Sequence, residues 1–426
     1  ALRLAVFGAA SSLSPSAVMT PDSYGYDLLA RTLLREGRFA GGPGAVAQTR
    51  RTPGFPLLLA GVYALAGEDG RRRAVLVGIA ISTFTVGLTA RLAEKLWGPR
   101  AGLVAGLLLA SDIASVTAAR YLLTEALFTA LVVAAVAAAA SLVRGERPSG
   151  PRAALLGTLL ACAALTRPIG LFVAVPVGLW LVHSARALGW RRAQTAAITA
   201  AVALPWIVLV GGWQLRNRAE VGAYVASDGP AKFLYMTRGA DILAQRDGIS
   251  YEAARVRLGH SIEEREAQKG VPRERLYLRE GLALAAHHPF LFLATQVTEL
   301  PSLLLGTGAA GLSLALGTDD ACDLERRGAR WLLAGSAALH LLLVYAGAAA
   351  GLRRAGSEPT AARLTVLLMV ILTGYFVILS TGPQAYSRFR VPFMPLLAMA
   401  AGRGLTMRAE RAGPEDPPAV VATAGA

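Results

Sequence analysis

This sequence of 426 residues has few charged residues, few lysines and few cysteines. Charged residues make up 17% of the chain, against roughly 25% in a soluble domain, which excludes an ordinary soluble globular protein. Three of the basic residues are lysines, namely Lys95, Lys232 and Lys269. The two cysteines, Cys162 and Cys322, are too few for a disulfide framework, and the five histidines show no metal-ligand spacing.

Long apolar runs take the place of the missing charge. Hydrophobic residues reach 54%, and the runs of about 18 to 22 residues are separated by short arginine-rich loops. This pattern predicts an all-α, polytopic transmembrane helical bundle of about ten spans. A first helix lies within residues 1–19, a stretch that a signal peptide would also explain. The other predicted spans cover residues 74–93, 101–118, 122–143, 153–166, 169–184, 193–213, 329–351, 362–381 and 391–405.

The net charge of +15 is explained by membrane topology and does not indicate a nucleic-acid partner. The arginines lie in short loops between apolar runs, which favours membrane orientation and anionic lipid head groups. The protein is expected in a bacterial inner membrane. The positive-inside rule puts both termini on its cytoplasmic side, and residues 20–73, 214–328 and 382–390 on its outer side. This solution requires residues 53–67 and 289–317 to lie at the interface, and it leaves Arg71, Arg72 and Arg73 outside.

The same loops predict the domain organisation. Residues 1–213 form a transmembrane module whose first outer loop is 20–73. Residues 214–328 form a small outer-face segment with an interfacial helix, and residues 329–412 form the C-terminal spans. The tail 413–426, rich in proline and alanine, is expected to be disordered.

Asp22 is the first candidate for chemistry, because it follows the first helix and opens an amphipathic segment. One interpretation is an N-cap, by Asp22 or Ser23, that satisfies free backbone N–H groups. The other is a carboxylate at the membrane surface that takes a proton from an acceptor hydroxyl. Both interpretations can hold for neighbouring residues.

Glu125 is the second candidate, about one turn inside a strongly apolar helix. A carboxylate at that depth is costly and usually faces a polar cavity. The alternative is a first-turn acid that the helix dipole favours. The predicted topology puts Glu125 on the same outer side as Asp22, and Asp112 is a less well-placed competitor.

Several basic residues are predicted on that same face. Any one of them alone is expected to be a head-group anchor. A group of arginines around two carboxylates would instead suit a phosphate-bearing lipid, because guanidinium binds phosphate oxygens in a bidentate manner. The residues are Arg50, Arg51, Arg167, Arg216 with Asn217, Arg388 and Arg390.

In this order, these residues resemble the GT-C glycosyltransferases, in particular bacterial relatives of the protein O-mannosyltransferases and of the lipid A aminoarabinose transferase. The resemblance covers nearly the whole chain. The motifs that carry it are Pro21-Asp22 with Tyr26, Arg51-Thr52-Pro53-Gly54-Phe55-Pro56, Thr124-Glu125, Leu165-Thr166-Arg167-Pro168, Arg216-Asn217, and Tyr386-Ser387-Arg388-Phe389-Arg390-Val391-Pro392.

The resemblance implies a bundle with juxtamembrane helices in its first outer loop, and an enzyme that transfers a hexose or pentose from a polyprenyl-phosphate donor with inversion. Asp22 would be the general base. Glu125 would orient the acceptor or help to hold a divalent metal, whose use is in doubt because Ser23 replaces a second acid common in relatives.

The resemblance assigns the other residues by position. Arg388 or Arg390 would bind the donor phosphate, with Arg51 and Arg167 nearby. Tyr26, Arg216 and Asn217 would lie near the sugar and the acceptor.

The alternative function is a transporter or flippase of lipid-linked glycans. It predicts charges deep in several central spans and an internal repeat, neither of which is evident in the sequence. The sequence does not identify the sugar, the polyprenol or the acceptor, which is a glycan, a lipid or a protein.

Overall fold

The structure is a computed structural model that describes residues 1–13, 18–45, 47–67, 70–145, 147–269, 273–315, 324–382 and 385–411. The predicted disordered tail, 413–426, and Cys322 lie outside the described residues.

The described chain is helical, and no strand occurs in it apart from an isolated bridge between Ala40 and Ala47. The all-α prediction is therefore confirmed. The helices are α1 (Leu2–Leu13), α2 (Pro21–Glu36), α3 (Gly54–Ala66), α4 (Gly70–Trp97), α5 (Pro99–Ser111), α6 (Ile113–Ala119), α7 (Glu125–Arg144), α8 (Gly150–Thr166), α9 (Ala174–Ala187), α10 (Arg192–Val221), α11 (Gly229–Phe233), α12 (Gly239–Asp247), α13 (Tyr251–Lys269), α14 (Arg273–His287), α15 (Pro289–Thr298), α16 (Leu300–Leu305), α17 (Ala309–Ala315), α18 (Leu324–Leu352), α19 (Thr360–Ser380) and α20 (Met394–Arg411).

Within the described residues, six helical segments are long and apolar enough to cross a membrane, and a seventh span exists if the bent pair α5 and α6 is counted as one. The predicted span 101–118 is this pair, which bends by 59° at Asp112. Other predicted spans are shorter, such as α1 with 12 residues and α8 with 17, against the roughly 20 that a bilayer core requires. The count of ten spans therefore stays a prediction.

The main hydrophobic core joins α7, α8, α9, α19 and α20. Phe128 of α7 packs edge-to-face on Phe376 of α19, with ring centroids 5.8 Å apart. Trp180 of α9 is buried and donates a hydrogen bond to the Leu364 carbonyl at 2.7 Å. Gly157 lets α8 approach α10 closely, since a Cβ there would lie 2.0 Å from the Val202 carbonyl oxygen. This core fixes the start of α7 relative to the end of α8.

The first outer loop folds onto the bundle through a second hydrophobic cluster. Phe55 and Leu59 of α3 pack with Val75 and Ile79 of α4 and with Leu122, which precedes α7. Because α3 has 13 residues, it is too short to span, in keeping with the predicted interfacial position.

Asp27 of α2 ties that loop to α4. It accepts hydrogen bonds from the Tyr63 hydroxyl at 2.8 Å and from Arg71 Nη2 at 2.7 Å, and it pairs with Arg31 at 3.1 Å. Arg71, one of the arginines that the predicted topology left outside, therefore has a carboxylate partner on α2.

The outer segment has a small core of its own, built from Tyr235, Leu243, Leu258 and Tyr277. Beyond it, residues 289–315 form α15, α16 and α17, of ten, six and seven residues, each too short to cross a bilayer.

Candidate functional site

The N-terminus of α2 is capped by Thr20, which frees Asp22 for other contacts. The Ser23 N–H donates to Thr20 Oγ1 at 3.3 Å, and the Thr20 N–H donates to Ser23 Oγ at 3.0 Å. With Pro21 at the first helical position, this is a complete capping box. The N-cap interpretation therefore applies to Thr20 with Ser23, and Asp22 makes its contacts elsewhere.

Asp22 forms ion pairs with two arginines from distant parts of the chain. Arg388 Nη2 lies 3.1 Å from Asp22 Oδ2, and Arg51 Nη2 lies 3.5 Å from Asp22 Oδ1. Burial raises the pKa of Asp22, but Arg388 and Arg51 outweigh that effect and hold the pKa below its usual value. The side chain is still 46% exposed, so an ionised carboxylate faces an open space.

Glu125 is the first residue of α7, and its side chain is 3% exposed. Its Oε1 lies 3.1 Å from Arg167 Nη1 and 3.4 Å from Arg388 Nε. The two sequence interpretations of Glu125 are thus compatible, because it is both a first-turn acid and a member of a polar cluster.

Arg388 bridges the two carboxylates. Burial lowers the pKa of Arg388, but Glu125, Tyr386 and Asp22 raise it above the ordinary value, so the guanidinium stays charged. Asp22, Arg51, Glu125, Arg167 and Arg388, hereafter the carboxylate–arginine cluster, come from five separate segments of the chain. All five were predicted site residues.

Tyr26 supports the cluster from the side. The Arg51 guanidinium lies 3.9 Å from the centre of the Tyr26 ring, a cation–π contact. Gly25 makes room for it, because a Cβ there would lie 2.7 Å from Arg51 Nη2. Phe55 packs edge-to-face on Tyr26 at 5.2 Å. Tyr26 therefore positions Arg51, with the ring held between α2 and α3.

Arg390 does not join the cluster, unlike its neighbour Arg388. Arg390 is 1% exposed. Its Nη1 donates to the carbonyls of Leu303 and Leu304 at 3.0 and 2.9 Å, and its Nη2 donates to the Gly306 carbonyl at 3.0 Å. Both terminal nitrogens of Arg390 hold the end of α16, and its role as a phosphate ligand stays a prediction.

Arg216 and Asn217 also make structural contacts. Arg216 donates to Asn217 Oδ1 at 3.0 Å and to the Phe39 carbonyl at 3.3 Å. Asn217 is fully buried and donates to the Val225 carbonyl at 2.8 Å. In the described chain, neither residue forms an ion pair or hydrogen bond with Asp22 or Glu125. Arg216 holds the end of α10 against the first outer loop, and Asn217 holds it against the segment that follows the helix.

Asp112, the less well-placed competitor, is the N-cap of α6. Its Oδ2 accepts the Ser115 N–H at 2.8 Å. Its burial is explained by the bend between α5 and α6, so it is not part of the cluster.

A cavity of about 370 Å³ adjoins the cluster, with Arg167 in its wall. Phe172, Phe233, Leu379 and Phe389 give it a largely apolar lining. Arg238, which the sequence analysis did not single out, lines the same cavity and donates to the carbonyls of Leu379 and Thr381 at 3.1 and 2.8 Å. The sequence gives little reason to select Arg238, because it lies in the outer segment 214–328, away from the motifs that carry the family resemblance.

The cluster does not fit a divalent metal. Three guanidinium groups surround the two carboxylates, so a cation would face like charge and would have to displace existing ion pairs. Within the part of the chain that the structure describes, no three His, Cys, Asp or Glu side chains form a ligand group.

One known protein family matches part of this sequence. Residues 50–213 match the family model of dolichyl-phosphate-mannose-protein mannosyltransferases, a range that contains Arg51, Glu125 and Arg167. No curated protein matches the sequence.

Solved structures share the fold at low sequence identity. The Archaeoglobus fulgidus oligosaccharyltransferase in its apo form has a TM-score of 0.54 and 13% identity, over 96% of this chain and 50% of that one. The Archaeoglobus fulgidus oligosaccharyltransferase AglB, in complex with an inhibitory peptide and a dolichol-phosphate, has a TM-score of 0.52 and 13% identity, over 97% of this chain and 52% of that one. This chain thus spans about half of their length.

ArnT from Cupriavidus metallidurans bound to undecaprenyl phosphate has 16% identity over 92% of this chain and 75% of that one, with a TM-score of 0.37. The chain therefore has the fold of the Archaeoglobus fulgidus oligosaccharyltransferase, and its residues 50–213 have the sequence pattern of the dolichyl-phosphate-mannose-protein mannosyltransferases.

Proposed function

We propose that the protein transfers a sugar from a polyprenyl-phosphate donor to an acceptor hydroxyl, with inversion, at the outer face of a bacterial cytoplasmic membrane. The observation that carries the proposal is the carboxylate–arginine cluster, in which two acids and three arginines from distant segments meet beside an apolar cavity. An exposed carboxylate supplies a base, and the arginines supply a phosphate site.

The donor would lie across the cluster and the adjoining cavity. Phe172, Phe233 and Leu379 offer apolar surface to an isoprenoid chain, while Arg167 at the cavity wall offers charge to the phosphate. Arg167 Nη1 and Arg388 Nε are buried and share Glu125 Oε1 as an ion-pair partner, but neither forms a hydrogen bond. Buried donors normally form a hydrogen bond, and a phosphate oxygen would supply it. The dolichol-phosphate in AglB supports this chemical class.

In the proposed reaction, the acceptor oxygen attacks the anomeric carbon of the sugar while the bond from that carbon to the phosphate oxygen breaks. Asp22 takes the acceptor proton, and the electron pair of the broken bond leaves with the polyprenyl phosphate. Arg388 and Arg51 stabilise the charge that develops on that phosphate. Attack opposite to the leaving group inverts the anomeric centre.

The ion pairs of Asp22 fit a base that becomes active when the donor binds. In the structure, Arg388 and Arg51 keep Asp22 ionised. A donor phosphate would compete for the same guanidinium groups, which would weaken their pull on the carboxylate and raise its pKa. The base would then be strongest when the donor is present.

Glu125 would act as a positioning residue. It is buried and touches both Arg167 and Arg388, so it sets the direction in which these guanidinium groups point. Its Oε2 is buried without a hydrogen-bond partner, which leaves one lone pair for an acceptor hydroxyl.

The proposal is tested with the full chain in proteoliposomes that contain undecaprenyl-phosphate-linked hexoses and pentoses, with an extract of the cell envelope added as the source of the acceptor hydroxyl. The expected result is release of undecaprenyl phosphate with at least one donor, and none from the double variant Asp22→Asn/Glu125→Gln. Asp247→Asn, which alters an ion pair of the outer segment, is the matched control. Movement of an intact donor across the bilayer, with no cleavage of the sugar–phosphate bond, would instead support a flippase.

The acceptor is identified by mass spectrometry of envelope glycans, lipids and glycoproteins with and without the gene. We expect one class of molecule to lose a single sugar in the deletion strain, and to regain it with the wild-type gene but not with the Asp22→Asn gene. An unchanged envelope would contradict the proposed reaction.

A further inference from the structure

A basic pocket lies at the opposite end of the bundle from the carboxylate–arginine cluster. It has a volume of about 400 Å³ and is formed by the C-terminal ends of α4 and α7 and by α8 near its start. Glu125 begins α7 and Arg144 ends it, so this pocket is separated from the cluster by the length of that helix, about 30 Å for 20 residues.

Four cations line the pocket: Arg91 and Lys95 of α4, Arg144 of α7 and Arg152 of α8. Among the residues that the structure describes, no acidic one is in the lining. Glu94, next to Lys95 in the sequence, is already paired with Arg91 at 2.9 Å. In the described ranges, Lys95, Arg144 and Arg152 form no ion pair, so the pocket holds uncompensated positive charge.

Two backbone contacts hold the arginines in place. Arg144 Nη2 donates to the Lys95 carbonyl at 3.1 Å, and Arg152 Nη1 donates to the Ser141 carbonyl at 3.0 Å. These carbonyls lie in the last turns of α4 and α7, where the helix dipole favours cations. Each guanidinium carries five N–H donors, so most of them stay available to a ligand.

The charges are continuous with apolar stripes on the two spans. On α4, Leu88 and Leu92 lie in the lining at a helical spacing that leads to Lys95. On α7, Ala137 and Ala140 lead to Arg144 in the same way. Leu92 and Ala140 are buried in the core, so the partly exposed Leu88 and Ala137 supply the apolar surface. This surface, with cations at the helix ends, matches the two parts of a membrane lipid, namely its acyl chain and its phosphate.

We propose that this pocket binds the phosphate group of an anionic membrane lipid, with an acyl chain along α4 and α7. Basic pockets between transmembrane helices are a recognised mode of binding for acidic head groups. A soluble phosphate would use the same guanidinium groups but not the apolar stripes. The site is separate from the proposed transfer reaction and does not depend on it.

The test is native mass spectrometry of the full chain in detergent, titrated with phosphatidylglycerol and with phosphatidylcholine of the same acyl chains. Lys95→Gln/Arg144→Gln should weaken phosphatidylglycerol binding about thirtyfold, since each basic residue near a lipid surface contributes on the order of one kcal/mol. Arg191→Gln/Arg192→Gln, two exposed arginines at the same end of the bundle, should change it less than about twofold.

Two further measurements keep the outcome decisive. Lys95→Gln alone leaves both arginine contacts to carbonyls intact, and it should weaken binding by about fivefold with an unchanged unfolding temperature in lipid-free detergent. Equal losses in the two double variants, or equal affinity for phosphatidylcholine, would overturn the proposal. Displacement of the lipid by inorganic phosphate at equal concentration would assign the pocket to a free oxyanion instead.

Discussion

Two aspartates on the same helix, Asp22 and Asp27, have different surroundings. They are five residues apart on α2 and therefore lie on different sides of it, since each residue turns the helix by about 100°. The Asp27 side chain is 6% exposed and has three partners within about 3 Å, Tyr63, Arg71 and Arg31. The Asp22 side chain is 46% exposed and has two partners, Arg388 and Arg51.

The difference separates a structural carboxylate from a candidate catalytic one. Asp27 is enclosed by groups of α2, α3 and α4, and no substrate can reach it without opening them. Asp22 keeps an open side, and its arginines are the groups that a phosphate would attract. Both carboxylates are held ionised by arginines, so the charge alone does not distinguish them. The two aspartates differ in their exposure to solvent and in their partners.

The largest expected effect is on catalysis by Asp22→Asn. Loss of a general base typically lowers the rate by about 10²- to 10⁴-fold, and we expect a value near the upper end if no other group can take the proton. The measurement is release of undecaprenyl phosphate per folded molecule. The unfolding temperature should stay close to that of the wild type because the side chain is half exposed. An active Asp22→Asn variant would remove the distinction between the two aspartates.

The next effect is expected for Arg388→Lys. Lysine keeps the charge but cannot contact Asp22 and Glu125 at the same time through separate nitrogens. The rate should fall by about 10²-fold, with a smaller change in the donor concentration at half-maximal rate. Arg390→Lys is the matched variant, and its main effect should be a lower unfolding temperature. The opposite pattern would assign the phosphate site to Arg390.

Asp27→Asn should affect stability instead of catalysis. Removal of one partner from a buried ion pair costs about 3 to 5 kcal/mol, and we expect about 2 kcal/mol, because Arg71 and Arg31 stay partly exposed to solvent. Thermal unfolding in detergent measures the change, while the rate per folded molecule should remain within about threefold of the wild type. A severe loss of rate in a stable variant would make Asp27 part of the site.

The smallest expected effect is that of low pH on the stability that Asp27 contributes. Burial raises the pKa of Asp27, but hydrogen bonds from Arg71, Tyr63 and Arg31 outweigh it, so the folded pKa lies below that of the unfolded chain. Its stabilisation is complete above the unfolded value of about 3.9 and is lost as the pH falls through the folded value. Unfolding temperatures measured from pH 6 to pH 3 should fall less steeply below about pH 4 in Asp27→Asn than in the wild type. Equal slopes would contradict this.

The sequence predicted the helical membrane class and the cluster residues, because both leave local signals. Apolar runs mark spans, and an acid such as Glu125 inside an apolar run is costly enough to mark a polar site. The role of Asp27 was not predicted, since its partners Tyr63 and Arg71 are 36 and 44 residues away. Arg388 and Arg390 are equivalent in the sequence, and only the turn at residues 387–390 directs one to the carboxylates and the other to the carbonyls of α16.

The ion pair between Arg388 and Asp22 joins residues 366 positions apart. The site therefore does not exist in a growing chain until the segment before the last helix has been made and inserted. Every earlier intermediate has Asp22 and Glu125 without Arg388, and thus two neighbouring acids with fewer counter-charges. A chain that ends before residue 388 would keep most of the bundle yet lack this bridge, so the protein is expected to have no partial activity during its synthesis.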